Sequence, residues 1–130
     1  MIETINSPKA PSAIGPYVQA KKANGFIFVS GQLGLNPETG KLAEGGIAAQ
    51  TEQSLNNLKA ILEAAGSDMD HVLKTTCLLS DIADFAAFNE VYGKFFKEFP
   101  ARACFAVKDL PAGGLVEIEL VAVENNNISG

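Results

Sequence analysis

Apolar positions in this chain alternate with period two around Phe105 and Ile118 and recur with helical spacing in two other stretches. Val18 to Ala23 and Phe26 to Val29 read as two strands, joined by Asn24-Gly25, the strongest short hairpin signal present. The second of these strands is expected to end at Ser30-Gly31. From Ile47 to Ala65 the period changes. Ile47, Thr51, Leu55, Leu58, Ile61, Leu62 and Ala65 fall on one face of a helix, and Gly66 stands where a left-handed residue ends it. Val72 to Leu79 (VLKTTCLL) is a strand rich in β-branched residues. A second helix follows, with Asp84 as its expected cap and Phe85, Phe88, Tyr92, Phe95 and Phe96 as its stripe. The aromatics from Phe85 to Phe99 are read as core. Met1 to Ile5 is a possible short strand, Ser7 to Pro16 a proline-rich loop, and Glu124 to Gly130 a polar frayed tail.

The last two strands occupy Pro100 to Val123 and flank the turn Asp109-Leu-Pro-Ala-Gly-Gly114. Arg102 and Cys104 share one face of the first. In the second, Val116, Ile118 and Leu120 share one face, while Glu117 and Glu119 lie on the other, which continues as Val121 and Val123. If these strands pair through the turn, Arg102 and Glu117 line one cleft.

Strands, helix, strand, helix and strands in that order define an α+β domain with its helices on one face of a sheet. FIFV, VLKTTCLL and LVAV carry apolar residues at both parities, yet no element is left to cover the second face. Another copy of the chain is the simplest cover, so the pattern predicts a closed homo-oligomer with room for a site at its interfaces. A length of 130 residues, 47% of them hydrophobic, fits one domain spanning residues 1–130. The N-terminus has no apolar core of a leader and no apolar run is long enough to cross a membrane, so the expected location is cytoplasmic. A net charge of −5 with scattered Lys and Arg argues against a nucleic-acid partner. One histidine, His71, and two distant cysteines, Cys77 and Cys104, give no metal-ligand spacing. Both cysteines read as small buried residues, not as a disulfide or a Cys-His nucleophile pair.

The residues Pro100-Ala-Arg102-Ala-Cys104-Phe, Leu110-Pro111 and Val116-Glu117-Ile118 resemble the signature of the RidA/YjgF family of reactive-intermediate (enamine/imine) deaminases. Ala13-Ile-Gly-Pro16-Tyr17, Val29-Ser30-Gly31-Gln32, Gln53-Ser-Leu-Asn-Asn-Leu58, Lys74-Thr75-Thr76 and Phe88-Asn89-Glu90-Val91-Tyr92 match it in order and spacing, from about Ile14 to Val123. The resemblance implies a chorismate-mutase-like (YjgF-like) fold with about six strands and two helices, a homotrimer with clefts between subunits, and no cofactor. It implies hydrolysis of 2-aminoacrylate- or 2-iminobutyrate-type enamines and imines to 2-oxo acids and ammonia. It assigns substrate binding to Arg102 and water positioning to Glu117, and places Tyr17, Ser30, Gly31, Asn89 and Cys104 around the pocket. The connection Phe95 to Pro100 is shorter than in many members, a departure that bears on substrate preference.

These residue types suit the chemistry. A planar guanidinium holds a carboxylate through two parallel hydrogen bonds. One carboxylate can take a proton from an attacking water and return it to the departing nitrogen. Cys104 needs no chemical role beyond its backbone N–H. Each residue also has a plainer reading: Arg102 as a surface ion-pair residue, Glu117 or its rival Glu119 as solvated strand positions, Tyr17 as a staple for the N-terminal loop, Asn89 as a helix flank, and Ser30-Gly31 as a turn. Two other functions fit the same residues: a non-catalytic 2-oxo acid binding or regulatory protein, and, against the acidic balance, a ribonuclease or translation inhibitor.

Overall fold

A computed structural model describes residues 1–125 of the chain. Six strands build one sheet: β1 (Glu3–Ile5), β2 (Ala20–Ala23), β3 (Phe26–Leu33), β4 (Val72–Leu79), β5 (Ala101–Ala106) and β6 (Val116–Val123). Their order is β1-β2-β3-β6-β4-β5. All neighbours are antiparallel except β4 and β5, which run parallel. Two helices, α1 (Gly46–Ala64) and α2 (Phe85–Tyr92), lie on one face, with α1 against β3, β6 and α2. The α+β expectation, with about six strands and two helices, therefore holds.

The hairpin of the last two strands does not. β6 pairs with β3 on one edge and β4 on the other, so β4 separates it from β5. The reason lies in the connection before β5. A strand, a helix and a strand in succession return most readily as a parallel neighbour, and α2 carries β5 across to the free edge of β4. Asp109–Gly114 is then a crossing, not a hairpin turn. It contains a 3-10 turn at Pro111–Gly113 with Ala112 at φ 59°.

The core fills the space between the sheet and helices. Leu55, Leu58, Ile61 and Leu62 of α1 and Phe88 and Tyr92 of α2 are buried with Ile27 and Val29 of β3 and Val116, Ile118, Leu120 and Ala122 of β6. Each such aliphatic side chain contributes about 1.5–3 kcal/mol on burial. Alternation along β6 is strict, so Glu117, Glu119, Val121 and Val123 face the uncovered side. There Phe28 is 54%, Phe105 48% and Phe26 43% exposed.

Local signals hold at some joints and move at others. Asn24 and Gly25, at φ 52° and 80°, make the tight turn between β2 and β3. Gly66, at φ 81°, ends α1, and Ser67 N–H bonds back to the Leu62 carbonyl at 2.8 Å. Asp84 does not cap α2 with its side chain. A 3-10 turn (Ile82–Asp84) precedes the helix, and Asp81 caps that turn by accepting from Ala83 N–H. Ser30-Gly31 does not end β3; it is a register shift, after which the strand resumes to Leu33. The start of the expected tail is fixed: Glu124 N–H bonds to the Gly25 carbonyl and Asn125 N–H to the Gly66 carbonyl. The rest of that tail, residues 126–130, lies outside the described residues.

The register shift has a partner in α1. β2 reaches only as far as Val29, leaving later carbonyls of β3 without a strand on that side. Buried polar residues on α1 supply the donors. Ser54 Oγ donates to the Gln32 carbonyl at 2.7 Å, and Asn57 Nδ2 donates to the Leu33 and Leu35 carbonyls at 3.2 and 2.9 Å. Gly34 fits beneath because a Cβ there would stand 2.4 Å from the Gln50 carbonyl oxygen. Asn57→Ala should therefore cost about 2–3 kcal/mol, since it strands two carbonyls in a buried site. Equilibrium denaturation of the two proteins checks this value.

Candidate functional site

The site residues singled out in the sequence fall into two groups. The first surrounds Glu117. Tyr17, Ser30, Gly31, Gln32, Glu117 and Glu119 are among the residues lining a cavity of about 590 Å³. The irregular rung of β3 shapes it: Ser30 N–H bonds to the Gln19 carbonyl at 2.9 Å and Ser30 Oγ donates to the Val18 carbonyl at 2.6 Å. Gly31 passes directly beside the glutamate, where a Cβ would lie 2.6 Å from Glu117 Oε2. Any side chain at that position displaces the carboxylate. Tyr17 is half exposed at the rim.

Glu117 has neither a hydrogen-bond nor an ion-pair partner among the described residues. Burial pushes its carboxyl above the usual carboxylate range, and the neighbouring Glu119 charge adds to the shift. The loop that carries Tyr17 is held by Gln19, a residue the sequence did not mark. Its buried carboxamide accepts from Ser7 N–H at 2.6 Å and donates to the carbonyls of Ser7 and Pro11 at 3.1 and 2.9 Å. A lone glutamine after a proline-rich loop is the sole trace it leaves in the sequence.

The second group surrounds Arg102. Asn89, Tyr92, Gly93, Phe99, Pro100 and Arg102 line a cavity of about 370 Å³. Arg102 Nη1 donates to Asn89 Oδ1 at 2.7 Å. The guanidinium carbon lies over three rings of α2, at 5.0 Å from Tyr92, 5.6 Å from Phe85 and 5.8 Å from Phe88. No carboxylate pairs with it among the described residues. A cation with aromatic neighbours and no acid beside it keeps N–H donors open, and its planar fork has the geometry to hold a carboxylate.

The core assignment of the aromatics is thus corrected at two positions. Phe99 is 72% exposed and lines this cavity, because the helix stops at Tyr92 and the residues beyond leave its stripe. Phe85 is partly exposed at the edge of the arginine. Cys104 shares the arginine's face of β5 and packs on the core. Burial pushes its thiol up, with Arg102 pulling in the other direction, and burial pushes the Cys77 thiol to about 12. Both are free and both stay protonated at neutral pH. His71 bonds to Asp68 at 2.7 Å.

Within one chain the two groups do not meet. Arg102 is in register with Thr75, which is buried on the helix side, whereas Glu117 is in register with Leu78 on the uncovered side. The single cleft expected from a β5–β6 hairpin is overturned by this parity. An exposed guanidinium with no acidic partner and an unpaired, half-buried carboxylate are presented on opposite faces of one sheet.

Fold and motifs together define a small α+β protein of the YjgF-like type. The family model for Endoribonuclease L-PSP matches residues 7–124. The human protein named 2-iminobutanoate/2-iminopropanoate deaminase is 50% identical over 121 residues, covering 92% of this chain and 88% of that protein. A Lactococcus lactis protein named as a candidate regulator, AldR, is 54% identical over 114 residues, 87% of this chain and 90% of its own length. The crystal structure of Escherichia coli TdcF with bound serine superposes with a TM-score of 0.91 at 39% identity, covering 95% of this chain and 99% of that one. The chain belongs to the RidA/YjgF family, described by its model as Endoribonuclease L-PSP.

The raised Glu117 carboxyl has a measurable consequence. The folded state holds this proton more tightly than the unfolded chain does, so the group favours folding at low pH. That advantage is lost as pH rises from the ordinary carboxylate range through the raised value, and at neutral pH the ionised side chain opposes folding. Glu117→Gln should therefore unfold at a higher temperature than wild type at pH 7, with the gap closing near pH 3. Thermal unfolding at the two pH values checks the sign.

Proposed function

We propose that this protein hydrolyses reactive enamine and imine acids of the 2-aminoacrylate and 2-iminobutanoate type to 2-oxo acids and ammonia. The observation that carries the proposal is the pair of complementary half-sites. Arg102 offers an acid-free fork for a carboxylate, and Glu117 offers a carboxylate with no partner of its own. The name borne by the human relative at 50% identity, and the serine bound by TdcF, support a substrate built like an amino acid.

The steps follow from the two groups. Arg102 holds the substrate carboxylate through paired N–H donors while Asn89 fixes the guanidinium, and the Cys104 backbone N–H adds a donor. An enamine tautomerises to its imine, whose carbon is electrophilic. Glu117 orients a water against that carbon and takes its proton as the C–O bond forms. Glu117 passes that proton to the nitrogen, giving the carbinolamine. It then takes the hydroxyl proton as the carbonyl forms and hands it to the nitrogen as the C–N bond breaks, so that ammonia leaves and the carboxylate is regenerated. A carboxylate raised towards neutrality suits both directions of transfer. Tyr17, Ser30 and Gly31 shape the wall on the glutamate's side. No cofactor takes part in these steps.

Because parity separates the halves, a second copy must bring an Arg102 half against a Glu117 half. We assign this role to a cytoplasmic homotrimer. The exposed Phe26, Phe28 and Phe105 on the uncovered face support such packing. A second function, binding without turnover, is favoured by the similarity to the regulator-named AldR. Ribonuclease action is disfavoured by the paired Glu117 and Glu119 in the larger cavity and by the net charge of −5.

The test is to generate 2-iminobutanoate in solution and follow 2-oxobutanoate release. Wild type should accelerate release, and Arg102→Ala and Glu117→Ala should each lose about 100-fold or more while keeping wild-type mass in sedimentation. Mixing the two dead variants under exchanging conditions should restore part of the rate, since mixed oligomers regain intact sites. Wild type matching the enzyme-free control would sink the deaminase function, and retained ligand binding would then favour the regulator.

A further inference from the structure

We propose that Tyr92, pinned to β4 by Thr75, is a positioning residue that holds the Arg102 guanidinium in the plane that receives a carboxylate, with Phe85 and Phe88 completing an aromatic cradle. The proposal rests on the carboxylate-binding role of Arg102 and adds the device that orients it.

An arginine side chain has many rotamers, and an exposed one without an acidic partner has little to select among them. Arg102 is exposed and bonds to a single side chain, Asn89. The three rings of α2 supply the missing constraint, all with centroids within 5.8 Å of the guanidinium carbon. Tyr92 is the nearest, at 5.0 Å, and also the most firmly held. It is buried, its hydroxyl bonds Thr75 Oγ1 at 2.7 Å, and its ring packs against Phe88 and Phe96 at 5.3 and 4.8 Å between centroids.

Thr75 is fully buried on β4 and stands in register with Arg102 on β5. The pin and the cation therefore sit on one rung of the sheet, with the tyrosine ring bridging them. The rings flank the guanidinium on the α2 side, and Asn89 takes one of its donors. The remaining edge N–H groups keep a fixed direction for an incoming carboxylate. A ring under a cation also excludes water from that side, which strengthens the remaining ionic contact.

The test separates orientation from mere folding. Calorimetry measures binding of 2-oxobutanoate and of its uncharged amide to wild type, Arg102→Ala, Tyr92→Leu, Tyr92→Phe and Phe85→Ala. Wild type should prefer the acid, and Arg102→Ala should erase the preference. Tyr92→Leu should reduce the acid-over-amide ratio about tenfold while amide binding persists, and Tyr92→Phe should recover most of that ratio. Phe85→Ala, a change at the surface that leaves the core intact, should reduce the ratio about threefold. A ratio unchanged in both Tyr92→Leu and Phe85→Ala overturns the cradle. So does equal weakening of acid and amide, the mark of a purely structural role. If Arg102→Ala keeps the acid preference, the carboxylate role itself fails, and that result is distinct from loss of the cradle alone.

Discussion

The alternation of side chains along β6 is the constraint on which most of this structure depends. The strand is bonded on both edges, by β3 and by β4, so its register cannot slip by one residue without moving Val116, Ile118, Leu120 and Ala122 out of the core. The same register fixes Glu117 on the uncovered face beside Gly31. Core packing and the placement of the glutamate are thus one decision made by one strand. The arginine is placed by another strand with a weaker hold, since β5 has only β4 as a neighbour. α2 compensates from above, where its aromatic side chains surround the guanidinium.

Much of this was legible in the chain. VLKTTCLL announces its strand through β-branched residues and VEIELVAV through alternation, and both occupy the expected residues. Helix α1 was equally plain from its stripe and its terminal glycine. The pairing of strands was not legible, because period shows which face a residue takes but not which neighbour a strand chooses. The β5–β6 hairpin failed for that reason. The buried polar row of α1 was hidden too, since Gln50, Ser54 and Asn57 look like solvated positions until the carbonyls they meet are known.

The candidate site was legible in composition but not in arrangement. Motif spacing picked out Arg102, Asn89, Glu117, Ser30 and Gly31, and the structure sorts them into two cavities. Sequence could not separate the groups, because the separation follows from sheet order and parity together. The electrostatics fit a division of labour. The cation is kept free of acids, the carboxylate is kept free of bases, and each lacks what the other holds. Of the two unpaired charges only the carboxylate carries a desolvation cost, since Arg102 is exposed to water.

The sheet's two outer edges also bear on how the chain avoids unwanted association. β1 is three residues long and carries Glu3, which is a poor template for adding a strand. β5 is longer and has an open edge, yet it starts directly after Pro100 and places a charged arginine as its second residue. Proline withholds a donor at the strand's entrance, and a charge beside the open edge penalises a stacking neighbour that brings no counter-ion. The arginine proposed to receive the substrate thus also sets a charge on the sheet's open edge, a feature that makes an edge strand a poorer template for a further strand.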